Sequence, residues 1–248
     1  MDPITHQTTK RERREQRKVA WREERQSAVY QQKVRRIGLW AVVFVVVIGG
    51  VWLLSKTTSN NGKPGAVVPS VNEITADDWT TGNQSAAVTL VEYSDFQCPA
   101  CGAYYPTVKK VTQDFSNTVR FVYRNYPLKS IHPNAESAAW AAGAAGRQGK
   151  FWEMHDLLFD RQKQWEGSLS TKGTFHDYAV ELGLNGDQFD KDYDSSVVRD
   201  KVATDVASGN AARIAGTPSF FLNGVQISPA PNYTEFSTLI NDQLNKKN

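Results

Sequence analysis

Hydrophobic positions change character along the chain. Residues 37–54, IGLWAVVFVVVIGGVWLL, hold no charged side chain. As a helix rising 1.5 Å per residue they span about 27 Å, close to the ~30 Å hydrocarbon thickness of a bilayer. Trp40 and Trp52 stand near its ends, where amphipathic rings favour the membrane interface. A helix apolar on every face has no place on a small domain's surface. The segment before it is longer than a signal-peptide n-region, and no small-x-small pair follows it. One transmembrane anchor is predicted. Residues 55–75, SKTTSNNGKPGAVVPSVNEIT, lose all periodicity and read as a linker.

Beyond the linker the pattern becomes that of a folded domain over 76–248. AAVTLVEYS (86–94) is short, apolar and β-branched, which predicts a buried strand. ACGAYYPTVKKVTQDF follows with Tyr104, Val108, Val111 and Phe115 at helical spacing, kinked at Pro106. TVRFVYRNYP supplies a second strand, and strand–helix–strand at this spacing implies a parallel pair. From about 133 to 214 the pattern is helical, beginning NAESAAWAAGAAGRQGKFWEMHDLLF. TPSFFLNGVQI then predicts two strands around an Asn-Gly turn, and NYTEFSTLINDQLNKK a last helix. No repeat of 20–50 residues is present.

Charge refines this picture. The net charge is +3, yet residues 1–36 hold eleven Lys/Arg against five Asp/Glu, leaving 18 basic and 21 acidic groups elsewhere. The basic character belongs to the tail, so nucleic acid is not expected as a partner. Arg35, Arg36, Lys33 and KRERREQRK precede the apolar run, and only Lys56 closely follows it. The positive-inside rule places the tail in the cytoplasm and the domain outside the cell membrane.

The two cysteines of the chain, Cys98 and Cys101, stand three positions apart in EYSDFQCPACGAYYP. A purely structural bridge across so short a loop gives only about 2 kcal/mol. Zinc would need a second pair of ligands, and His132, His155 and His176 lack ligand spacing. No metal and no separate cofactor is expected. Redox chemistry fits the strand-to-helix junction: Cys98 starts the helix, where unpaired N–H groups and the dipole favour a thiolate. Pro99 suits the first turn, having no N–H to lose. Cys101 lies within bridging reach, deeper in the turn, giving an exposed nucleophile and a shielded resolving thiol.

VTLVEYSDFQCPACGAYYP, FVYRNYPL, HPNAESAAWAAGAAGRQGKFWEMHDLLF and GTPSFFLNG together resemble the DsbA-like thiol:disulfide oxidoreductases over residues 76–245. The resemblance implies an α/β thioredoxin-like fold, β-α-β … β-β-α, with an inserted all-helical domain. It makes Cys98 the nucleophile of a mixed disulfide and Cys101 the thiol that resolves it. It implies that Pro218 is a cis-proline packed on the active-site disulfide, that Thr217 offers its backbone to substrate, and that Glu92 is a buried acid shuttling a proton to Cys101. Ala100 departs from the His common in such oxidases and should leave Cys98 less acidic.

The expected function is therefore insertion of disulfides into exported proteins with free thiols, with a quinone-linked membrane reoxidase as partner. A disulfide reductase or isomerase is the alternative within the class, and a membrane-tethered binding or holdase module the alternative outside it. GAAGRQGK lacks phosphate-loop spacing and reads as tight helix packing. Trp140, Phe151, Trp152 and Phe159 stand at helical spacing as core residues or as a peptide groove, and His132 opens a helix or approaches the cysteines.

Overall fold

The structure is a computed structural model that describes residues 67–227 and 231–246. The tail 1–36 and the apolar run 37–54 lie outside the described residues. Among the described residues no helix is long and apolar enough to cross a membrane.

The centre is a five-stranded sheet, ordered β1-β3-β2-β4-β5. β2 (Val88–Ser94) and β3 (Val119–Asn125) run parallel in the middle. β1 (Trp79–Gly82) joins β3, and β4 (Ser219–Leu222) joins β2, both antiparallel. β5 (Val225–Ile227) closes the far edge. Val88, Leu90, Val91 and Tyr93 are all fully buried. A near-continuous apolar run is what a strand covered on both faces requires. The β4–β5 turn places Asn223 at φ 49° and Gly224 at φ 79°. Both left-handed positions of a tight hairpin are thus filled by residues that tolerate them. The Asn223 side chain also accepts from the Thr89 N–H at 2.9 Å.

One sheet face carries Val88, Leu90, Phe121, Tyr123 and Phe220 against α2 (Pro99–Asp114) and α9 (Tyr233–Asn245). α2 continues unbroken across Pro106. The other face carries Val91, Tyr93, Val122 and Phe221 against Val71, Ala212 and Ile214. Between β3 and β4 come α3 (Ala135–Arg147), α4 (Phe151–Asp160), α5 (Gln162–Trp165), α6 (Lys172–Glu181), α7 (Gly186–Asp194) and α8 (Ser196–Ala211). The alanines of α3 are buried, and its glycines admit neighbours. A Cβ on Gly146 would lie 2.3 Å from the Trp79 ring, and one on Gly143 2.8 Å from Val198. That stretch is helix packing.

The N-terminal boundary of the domain needs correcting. The stretch 55–75, read as a linker, enters the fold at Val67, which forms a bridge with Val225. α1 (Pro69–Asn72) follows, and Val71 is fully buried. Val68 and Val71, set among Pro69, Ser70 and Asn72, give no periodic signal, yet they pack on the sheet face that α2 and α9 leave open. Arg124 ties this segment down. It donates to both Asp78 carboxylate oxygens (3.0 and 2.9 Å), to the carbonyls of Val71 (3.2 Å) and Glu73 (2.8 Å), and to Tyr93 Oη (3.0 Å). β1, also unforeseen, is a short polar edge strand held by pairing with β3 and by Trp79 stacked 4.2 Å from Phe151.

Candidate active site

β2 ends at Ser94, and the chain turns through Asp95–Gln97 before α2 begins. The buried Asp95 carboxylate holds that turn. It accepts from the N–H groups of Gln97 (2.8 Å) and Leu128 (2.9 Å) and lies 2.7 Å from His132 Nδ1. His132 thus both precedes α3 and borders the cysteine turn. The helical stretch grips the turn from the other side. Gln162 Nε2 donates to the carbonyls of Phe96 (2.7 Å) and Cys98 (2.9 Å). Gln97 donates to the Glu166 carbonyl at 2.7 Å and accepts from the Asn134 N–H at 2.6 Å.

Cys98 occupies the N-cap of α2 with extended backbone, and Pro99 takes the first helical position. Cys98 is 6% exposed and Cys101 1%. The nucleophile expected to be exposed therefore shows solvent only an edge, while Pro99 and Ala100 stand exposed beside it. Both thiols are free. The Cys101 thiol donates to the Cys98 sulfur. Aided by the backbone N–H groups of Cys101 and Ala100 and the Thr217 side chain, it brings the Cys98 thiol down to about 5 against the upward push of burial. Burial and the neighbouring Cys98 sulfur push Cys101 the other way, well above an ordinary thiol. The two sulfurs are thus split into a ready thiolate and a held proton, the division that thiol–disulfide exchange uses.

The structure brings Thr217 to this point, sets Glu92 beneath α2, and leaves the sequence-selected aromatics in the core. The Thr217–Pro218 peptide is cis, and the Thr217 carbonyl oxygen lies 3.5 Å from Cys98 Sγ, a hydrogen bond only while Cys98 is protonated. Glu92 lies on β2 beneath α2, 4% exposed, and burial raises its carboxyl to about 7 despite the opposing Ser94 hydroxyl. Phe151 and Phe159 are core residues, and Trp140 and Trp152 pack against that core. His155 is buried among Phe96, Tyr123, Trp152 and Phe159, and burial lowers its pKa. Among the described residues no three His, Cys, Asp or Glu side chains are placed to hold a metal ion.

Sequence reasoning missed Asp95, Gln97, Gln162, Ser94 and Tyr123. Ser94 had a signal, since it follows Glu92 by two residues on a strand and so shares its face. Gln162 had none. It reaches the turn only because α5 folds back over 60 residues later in the chain.

The chain matches the thioredoxin family model over residues 75–242. A thioredoxin-like oxidoreductase from Silicibacter pomeroyi superposes with a TM-score of 0.60 at 26% identity, covering 73% of this chain and 99% of that one. BdbD from Bacillus subtilis gives 0.62 at 24% identity, covering 68% and 94%. Among curated sequences, 147 residues are 43% identical to a Na(+)/H(+) antiporter, NhaA 1, of Salinispora arenicola, covering 59% of this chain and 22% of that protein. The chain spans about a fifth of the length of that relative, whose name describes a protein lying mostly outside the match.

Proposed function

The chain belongs to the thioredoxin family, and from that premise we propose that it is a thiol:disulfide oxidoreductase whose Cys98–Cys101 pair donates disulfides to exported proteins. The observation that carries this reading is the split between a Cys98 thiol brought down to about 5 and a Cys101 thiol pushed well above its ordinary value. A low-pKa thiol is a good leaving group, and its thiolate stabilises the reduced protein. The first speeds exchange, and the second makes the disulfide form the more oxidising, by an amount on the order of tens of millivolts.

In the oxidising direction a substrate thiolate attacks Cys98 Sγ. The Cys98–Cys101 bond breaks and its electron pair passes to Cys101, which takes up a proton. A second substrate thiolate then attacks the substrate sulfur of the mixed disulfide. The substrate disulfide forms, and Cys98 leaves as a thiolate that needs no proton at neutral pH. The Thr217 backbone beside Cys98 offers an approaching chain hydrogen-bonding groups. The electrons gained by the pair pass on to a reoxidase, and a quinone-linked membrane partner suits a domain anchored through residues 37–54 with its N-terminus in the cytoplasm.

Equilibrating the full-length protein against glutathione tests this. The expected potential is at or above that of the glutathione couple, and Cys98→Ser is expected to abolish transfer. A strongly reducing potential would move the protein to the reductase side of the same chemistry. Activity that survives Cys98→Ser would make it a binding module instead.

A further inference from the structure

Arg120 and Arg124 stand four apart on β3 and so lie on the same face of the sheet. The fold treats the two cations in opposite ways. Arg124 is enclosed by the Asp78 carboxylate, two carbonyls and Tyr93 Oη. Arg120 is half-buried, and its Nε, shut off from solvent, meets no hydrogen-bond partner among the described residues. A buried donor without a partner is uncommon and calls for a reason.

The reason lies in what the side chain borders. Arg120 lines a cavity of about 660 Å³, together with Asn72 of α1, Thr89 of β2, Asn223 of the hairpin turn and Gln243 of α9. That is the size of a small-ligand site. No Asp or Glu is among the lining residues, so nothing in the wall neutralises the guanidinium. The neutral groups around it are already turned. Asn223 Oδ1 accepts from the Thr89 N–H at 2.9 Å, and Asn223 Nδ2 reaches Gln243 Oε1 at 3.4 Å. With both of those oxygens engaged, Gln243 keeps its amide hydrogens to offer, as an uncharged carboxamide does. One positive charge therefore stands among hydrogen-bond donors, and an anion is what completes it.

We propose that this cavity binds a phosphate ester, with its oxyanion gripped by Arg120 and flanked by Thr89, Asn72 and Gln243. A guanidinium presents its N–H groups in a planar fork that matches phosphate oxygens two at a time. The carboxamides and the hydroxyl add hydrogen bonds without adding charge, which suits a mono- or diester better than a polyphosphate. The cavity also leaves room for the alcohol half of the ester. Such a group comes on a soluble metabolite or on a phospholipid headgroup, and a chain anchored in a bilayer as proposed above meets both. The site is separate from the redox centre. Thr89 and Asn223 lie at one end of β2 and β4, whereas Ser94 and Ser219 lie at the other, beside the cysteine turn.

The test is calorimetric titration of sn-glycerol 3-phosphate into the full-length protein, held in dodecyl maltoside, a detergent without phosphate. Wild type should bind saturably at one site. Arg120→Gln should weaken binding about tenfold or more, the share of a charge-assisted hydrogen bond. Gln243→Glu sets a carboxylate on the cavity wall and should weaken it as much. It alters a helix surface rather than a central strand, so it carries the test should Arg120→Gln fail to fold. Acetate should bind at least tenfold more weakly than the phosphate ester in wild type. Repeating the titration in phosphatidylglycerol nanodiscs identifies the source. Binding weakened by competition supports the headgroup, and an unchanged titration supports the soluble ester. Absence of saturable binding in wild type, or binding that both variants leave intact, would overturn the site. Equal affinity for acetate would overturn its assignment to phosphate.

Discussion

An ordinary cysteine is mostly protonated at neutral pH; Cys98 is mostly thiolate there, and what surrounds it explains why. Ala100 contributes its backbone N–H alone, and its methyl side chain contributes nothing. The main donor is the partner thiol of Cys101, which charges one sulfur by withholding charge from the other. Glu92 shows the same trade at the level of stability. Its folded value of about 7 lies above the ordinary 4.5, so its favourable contribution is complete below pH 4.5 and lost as pH rises through 7. Glu92→Gln is neutral throughout and should escape that loss. Chemical denaturation should find the variant more stable than wild type at pH 8, by on the order of 3 kcal/mol, with the advantage gone at pH 4. An equal gain at both values would show that Glu92 is ionised in water rather than held neutral by burial.

Among elements, those with a period or a turn signature were legible and those made by tertiary pairing were not. β2, β3 and the Asn223–Gly224 hairpin appear within two or three residues of their expected bounds, because apolar runs and left-handed turn residues are local signals. β1 is four residues, Trp-Thr-Thr-Gly, with no alternation to detect. α1 is a single turn whose one buried side chain, Val71, has no periodic partner. β1 is held by pairing with β3, and α1 and the segment after it by Arg124, which binds the Val71 and Glu73 carbonyls and Asp78. The Arg124–Asp78 pair is buried, each side chain 4% exposed, with Lys201 3.6 Å from Asp78. Breaking a buried pair by removing one member leaves the other charge stranded. Asp78→Ala should therefore cost about 3–5 kcal/mol, read as a lowered denaturation midpoint. A cost below about 1 kcal/mol would mean that apolar packing alone holds the segment.

The whole domain is organised so that one covalent turn, Asp95 to Cys101, is held from several directions. Asp95 secures it to the Leu128–His132 loop, and Gln97 and Gln162 secure it to the helical stretch. None of this was readable from the motif, whose residues show the chemistry but not what immobilises it. Gln162 donates to two carbonyls in the turn, so Gln162→Ala should destabilise by about 1–3 kcal/mol. Hydrogen exchange should quicken from Phe96 to Gly102, and unchanged protection there would deny the clamp. At the opposite pole, Val67 meets Val225 beside the Asn223–Gly224 turn. That is the end of the sheet away from Ser94 and Ser219, where the sulfurs sit. The described chain thus enters the domain at the pole opposite Cys98, so a change at that entry leaves the clamped turn that carries the sulfurs untouched.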